Sequence, residues 1–239
     1  IFRYYIHMKI VSHRGYTKNF IENSINAIQS ASNLGCIFIE IDVILSNEGT
    51  IFLSHDLYSN RGVYLESCSD DVLIQTHQLT KLKDVILKYQ HITFQIDIKS
   101  QQSNIIEKLI RLIYIDNNYN DCILSSFNEK HLDDILHFEK LYKINIKKGY
   151  ITCNTHSDNF SQIIKKYNLN LIIIDYSQLN VQLVNDIHKL NVKISAFTVN
   201  ERYMIKICKK IGVDYAITDH PNCFLPRINL RLFNSQKMN

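Results

Sequence analysis

The chain has 239 residues, carries 27 Lys and Arg against 23 Asp and Glu, and has a formal net charge of +4. Its 46% apolar content supports a packed core and excludes intrinsic disorder, and the mild, scattered positive charge excludes a nucleic-acid-binding surface. No apolar run approaches the roughly 20 residues of a membrane span, so no stable membrane insertion is expected.

In chain order, residues 1–7 read as an N-terminal extension, and residues 8–239 as one domain, because no Pro/Gly-rich linker interrupts them. Lys9 to Ser12 is predicted as strand, and Glu22 to Leu34 as helix, stopped by Gly35. Ile37 to Ile44 is the second strand. The turn Asn47-Glu48-Gly49 returns the chain as a short hairpin partner at Ile51 to Ser54. Helix follows at Leu79 to Tyr89 and strand at Thr93 to Ile98, then helix at Asn104 to Ile115, strand at Cys122 to Ser125 and helix at Glu129 to Tyr142. The same alternation continues with strands near 144–151, 171–175, 192–199 and 213–218, and helices at 158–167, 178–190 and 201–211. Apart from the hairpin partner, eight strands alternate with helices. That pattern predicts an α/β fold, a (β/α)8 TIM barrel with a short β-hairpin after the second strand. Six scattered cysteines, with no C-x-x-C, read as buried free thiols in a reducing, cytoplasmic compartment.

Active sites of such barrels lie at the carboxyl ends of the strands. Glu40 and Asp42, two residues apart on an apolar strand, share one face. Two like charges there call for a cation, and a hard divalent metal with oxygen ligands fits. Asp97 ends a neighbouring strand and adds a third carboxylate, with Lys99 on the same face. His13 and His55, at strand ends on either side of the carboxylate pair, are candidates for proton transfer. Arg14 and Lys99 suit a phosphate ester. Taken singly, each of these has a plainer reading as a surface or ion-paired group; for Arg14 it is a pair with Glu22 or Glu40. His131 and His137, on a predicted helix, read as solvated.

Together these residues resemble the glycerophosphodiester phosphodiesterase family. The likeness runs through His13-Arg14-Gly15, Glu22-Asn23-Ser24, Glu40-Ile41-Asp42, Gly49 and His55-Asp56. It continues through Asp97-Ile98-Lys99, Ser125-Ser126-Phe127, Thr198-Val199-Asn200 and Thr218-Asp219-His220-Pro221. The resemblance implies a (β/α)8 barrel that hydrolyses glycerophosphodiesters to glycerol 3-phosphate and an alcohol, an activity of glycerol and lipid metabolism. It implies Glu40, Asp42 and Asp97 as ligands of Mg2+ or Ca2+, His13 and His55 as base and acid, and Arg14 and Lys99 as phosphate contacts. Three departures from the family stand out: Asp97 where Glu is usual, Phe197 where Trp is common, and a short 61–79 segment that implies an open pocket. The rival readings are a lysophospholipase D or sphingomyelinase D type of phosphodiesterase, and a non-catalytic barrel that binds phosphodiesters.

Overall fold

The structure is a computed structural model and describes residues 8–117, 119, 121–153 and 160–225. The extension read at residues 1–7 and the start of the helix read at 158 lie outside the described residues. The first half of the chain comprises β1 (Lys9–His13), α1 (Ile25–Asn33), β2 (Phe38–Leu45), β3 (Ile51–Leu53), α2 (Asp70–Gln75), α3 (Leu82–Lys88), β4 (Thr93–Ile98) and α4 (Ile105–Ile110). The second half comprises β5 (Cys122–Ser126), α5 (Glu129–Tyr142), β6 (Lys148–Thr152), α6 (Phe160–Tyr167), β7 (Leu171–Asp175), α7 (Val181–Lys189), β8 (Lys193–Phe197), α8 (Arg202–Ile211) and β9 (Tyr215–Thr218). All strands but β3 pair in parallel, and β1 pairs with both β2 and β9, which closes the sheet into the eight-stranded barrel expected from the alternation. β3 lies antiparallel against the outer end of β2.

The side-chain period of two divides each strand between the barrel axis and the surrounding helices. On β2, Ile39, Ile41, Val43 and Leu45 join the large core under the helices. Glu40 and Asp42 therefore face the axis. The axis is filled lower down by a second cluster containing Val11, Ile151, Leu171, Ile173, Tyr215 and Ile217. Phe38 meets Tyr215 there edge-on, with ring centroids 5.6 Å apart. The interior is thus apolar at one end and polar at the other, where the strands finish.

Local chemistry moves several boundaries. The predicted first helix starts later than Glu22, because Ser24 adopts an extended conformation and its side chain accepts from Ala27 N. The 104–115 helix widens into a π-helical stretch over Arg111–Asp116. The 61–79 segment, in which the sequence suggested no element, forms a 3-10 turn at Leu65–Ser67 and the helix α2, capped by Ser69. Buried Glu66 fastens this segment. It accepts from Leu45 N at 3.2 Å, Gln101 N at 3.2 Å, Tyr64 Oη at 2.7 Å and also from Ser100 Oγ, tying it to β2 and to the turn after Lys99. The solvated reading of His131 is overturned: it is 8% exposed and hydrogen-bonded to Ser126 Oγ at 2.8 Å. Its place beside Leu132 on the core face of α5 explains this, and burial lowers its pKa.

The turn leaving β1 requires glycine. Gly15 has φ +85°, and a Cβ there would lie 2.6 Å from the backbone carbon of Ala27. Gly15→Ala is expected to cost roughly 2–5 kcal/mol from backbone strain and overlap together, read as a fall in the urea midpoint. An unchanged midpoint would show that the turn can relax.

Candidate active site

Strand register assembles the polar end of the barrel. β1 and β2 align His13 with Glu40, and β2 and β4 align Asp42 with Asp97. All seven residues singled out from the sequence, His13, Arg14, Glu40, Asp42, His55, Asp97 and Lys99, line one cavity of about 210 Å3 at the carboxyl ends of the strands. Phe127, Phe197 and Thr198, from strand ends also expected at this rim, line it too. Phe127 and Phe197 meet edge-to-face at 6.2 Å, and Lys99 Nζ lies 5.3 Å from the Phe127 ring. Phe197 here supplies an apolar wall without a tryptophan.

Glu40, Asp42 and Asp97 are buried, and each offers an oxygen such that the three lie within 4.8 Å of one another. Burying unpaired carboxylates costs several kcal/mol each, so their partners decide whether the site holds together. Asp42 is the best served. Its Oδ2 accepts from Asn23 Nδ2 at 2.9 Å, its backbone N donates to Asn23 Oδ1 at 3.1 Å, and Arg14 Nε and Lys99 Nζ stand 3.1 and 3.4 Å away. Asn23 meets this demand from a left-handed backbone, φ 55°, which Asn tolerates better than most residues. Asp97 takes Lys99 Nζ at 2.6 Å. Among the described residues, Glu40 accepts one hydrogen bond, from the backbone N–H of Arg14 at 3.2 Å. The plainer reading of Arg14 is met in part: its Nη1 donates to both oxygens of Glu22, at 2.9 and 3.0 Å, while its Nε faces Asp42 rather than Glu40.

Two cations thus face three carboxylates. Burial pushes the Glu40 carboxyl well above its ordinary range, and Asp42 and Asp97 push it further. Burial raises Asp97 to about 6, with Lys99 pulling the other way and Asp42 adding to the rise. Burial alone would lower Arg14 and Lys99, but the surrounding carboxylates outweigh it and raise both. Asp97 Oδ1 and Arg14 Nε are buried without a hydrogen-bond partner among the described residues. An orphaned carboxylate oxygen within an all-oxygen cluster carrying excess negative charge fits a hard divalent cation.

Each histidine is held by a carboxylate. His13 Nδ1 bonds Asp219 Oδ1 at 2.6 Å, which leaves Nε2 toward the cavity, 3.9 Å from Glu40 Oε2. Asp219 is itself held by Asn200 Nδ2 at 2.7 Å, and Asn200 Oδ1 accepts from Thr218 Oγ1 and Asp219 N. The bond from His13 is the main reason that the Asp219 carboxyl lies below its ordinary pKa, against the opposing effect of burial. His55 Nδ1 bonds Asp56 Oδ1 at 2.8 Å. Asp219, Asn200 and Asn23 were given no role from the sequence. The left-handed Asn23 turn offered a local signal; the other two act only because β9 ends beside β1.

The sequence model of the glycerophosphoryl diester phosphodiesterase family matches residues 13–86 and 72–223. A glycerophosphodiester phosphodiesterase of Caldanaerobacter subterraneus is 28% identical over 240 residues, covering 90% of this chain and 96% of the relative. One from Bacillus altitudinis is 27% identical, covering 90% of this chain and 95% of its own length. Among solved structures, glycerophosphodiester phosphodiesterase from Thermotoga maritima aligns with TM-score 0.78 and 24% identity, over 91% of this chain and 97% of that one. An Oleispira antarctica phosphodiesterase in complex with the product sn-glycerol-3-phosphate aligns with TM-score 0.78 and 22% identity, over 90% of this chain and 94% of that one. The chain belongs to the glycerophosphoryl diester phosphodiesterase family.

Proposed function

We propose that this protein is a divalent-metal-dependent enzyme that hydrolyses glycerophosphodiesters to glycerol 3-phosphate and an alcohol. The observation that carries the reading is the convergence of three buried carboxylates, two cations and two carboxylate-held histidines on one cavity. Glu40, Asp42 and Asp97 would hold the metal, Mg2+ or Ca2+, whose chemistry is to neutralise charge on a phosphoryl oxygen and the oxygen attacking it. The charge supports this: the carboxylates outnumber the two cations, an excess that a divalent ion would offset.

Arg14 and Lys99, which line the cavity and meet different oxygens of Asp42, would contact the phosphoryl group. An ionised Asp219 can only accept, so neutral His13 carries its proton on Nδ1 and presents a bare Nε2. A bare Nε2 suits His13 to take the proton of the attacking oxygen, water or the neighbouring glycerol hydroxyl. His55, held at Nδ1 by Asp56, gives a proton from Nε2 to the departing alcohol oxygen. The Phe127 and Phe197 rings form an apolar wall on one side of the cavity.

No helix among the described residues is long and apolar enough to cross a membrane. Of the six thiols read as buried, Cys153 and Cys223 are exposed, while the four that are buried and free, Cys36, Cys68, Cys122 and Cys208, suit a reducing, cytoplasmic setting. Release of glycerol 3-phosphate from glycerophosphocholine and glycerophosphoglycerol, with Mg2+ or Ca2+ and again in EDTA, tests the reading. Turnover abolished by EDTA and restored by the metal is expected. Binding of diesters without turnover under any metal would favour the non-catalytic barrel.

A further inference from the structure

Beside the catalytic cavity opens a second cleft of about 380 Å3, and His55 lines both. The 61–79 segment supplies much of its wall, with Leu53, Leu65 and Leu79 at its base and Tyr58 at its lip. Two carboxylates border it, but both are engaged: Glu22 by Arg14, and Asp56 by His55. Arg61 also lines the cleft and forms no ion pair among the described residues. The remaining polar groups there, from Asn23, Ser54, Ser59, Asn60, Thr76 and His77, are short donors and acceptors.

We propose that this cleft receives the leaving alcohol and selects a hydroxyl-rich one, glycerol or a cyclitol. The inference rests on the phosphodiesterase reading and deepens it. If His55 Nε2 protonates the ester oxygen as the phosphorus–oxygen bond breaks, the alcohol must lie on the His55 side of the phosphorus, and this cleft is the space that His55 borders there. The attacking oxygen's proton goes to His13, the proton from His55 goes to the alcohol, and both histidines reset by exchange with solvent. The walls decide the class of alcohol. A trimethylammonium group neither donates nor accepts a conventional hydrogen bond and is recognised by aromatic faces and free carboxylates. The cleft offers it one tyrosine, no uncommitted carboxylate, and a repelling guanidinium. An acyl chain needs a continuous apolar channel, and here the leucines are interrupted by Ser54, Ser59 and Asn60. A polyol matches a donor-rich wall, because each hydroxyl can both donate and accept.

The test is kcat/KM on glycerophosphoglycerol, glycerophosphoinositol, glycerophosphocholine and lysophosphatidylcholine, for wild type and Arg61→Ala, with bis(p-nitrophenyl) phosphate as a control for folding. The wild type is expected to favour the two polyol substrates by about tenfold or more, the size of one well-placed polar contact. Arg61→Ala should lower kcat/KM on those two about tenfold, chiefly through KM, while the control stays within about twofold and glycerophosphocholine does not fall, because the guanidinium that repels its ammonium is gone. A wild-type preference for the choline or lysolipid substrate overturns the proposal, as does an equal loss or no loss on all four in the variant. Turnover of no diester by the wild type would overturn the phosphodiesterase reading itself; turnover without discrimination overturns this inference alone.

Discussion

His13→Ala and His55→Ala are each expected to lower kcat on a glycerophosphodiester by about 10²–10⁴-fold, with KM little changed, because each removes proton transfer in the transition state rather than ground-state binding. The two losses should be separable by leaving group. p-Nitrophenolate departs without a proton at neutral pH, so the variant lacking the general acid should recover most of its rate on a p-nitrophenyl diester. The variant lacking the base should not recover, since activation of the attacking oxygen is needed for either substrate. His13 is held by the depressed carboxyl of Asp219, and its free Nε2 is an acceptor. Recovery is therefore expected for His55→Ala and not for His13→Ala. The reverse pattern would exchange the roles, and wild-type turnover by both variants would remove the mechanism. Asp219→Asn tests the support of the base: an amide side chain can offer His13 Nδ1 an N–H and so stabilise the wrong tautomer. kcat should fall with little change in KM, and the loss should persist on the p-nitrophenyl ester.

Long-period patterning made most of the barrel legible. β4, β7 and α5 match their predicted bounds, because alternation or a helical stripe persists over whole elements and Asn128 caps α5 through Lys130 N. The candidate residues could be grouped from the order of the elements, because barrel strands bring their carboxyl ends to one rim. What escaped depends on contacts that sequence proximity does not encode. Asn200 and Asp219 reach His13 across the closing seam of the barrel, and Asp219 lies 206 residues from it. α2 has six residues, too short for a period to show, although Ser69 followed by Asp70 and Asp71 is a readable helix start. Glu66 then anchors this segment through donors on three different parts of the chain, and so gives a short insertion a fixed shape. The open pocket implied by that short segment is in fact two spaces, divided at His55.

Glu40→Gln is expected to raise the thermal midpoint of the protein in EDTA at about pH 7.5 while lowering activity with metal by roughly 10³-fold or more. Glu40 adds charge that the two cations do not balance, and no lysine or arginine forms an ion pair with it among the described residues. Its pKa is raised by burial, then by Asp42 and Asp97. An acid whose pKa is higher folded than unfolded binds more protons in the native state, so its contribution to stability falls as pH rises from the unfolded value toward the folded one. Asp97, raised to about 6, acts in the same direction. The metal-free protein should therefore lose stability from this cluster as pH rises through about 4 to 6, and Glu40→Gln should blunt that loss. Asp42→Asn should do the opposite. Asp42 stands 3.1 Å from Arg14 Nε and 3.4 Å from Lys99 Nζ, so neutralising it weakens two charge-assisted contacts while Arg14 keeps Glu22 and Lys99 keeps Asp97, at a cost of about 1.5–3 kcal/mol. A divalent metal reverses the balance in the wild type, stabilising it by about 2.7 kcal/mol at a hundredfold excess over Kd. Because its ligands must be ionised, that gain should be large at about pH 7.5 and shrink as pH falls through the value near 6 where Asp97 takes up a proton. Thermal unfolding of wild type, Glu40→Gln and Asp42→Asn, in EDTA and in Mg2+ or Ca2+, at about pH 5 and 7.5, separates these effects. A metal-induced shift of the same size at both pH values, or in Glu40→Gln as in wild type, would place the ion somewhere other than among these three carboxylates.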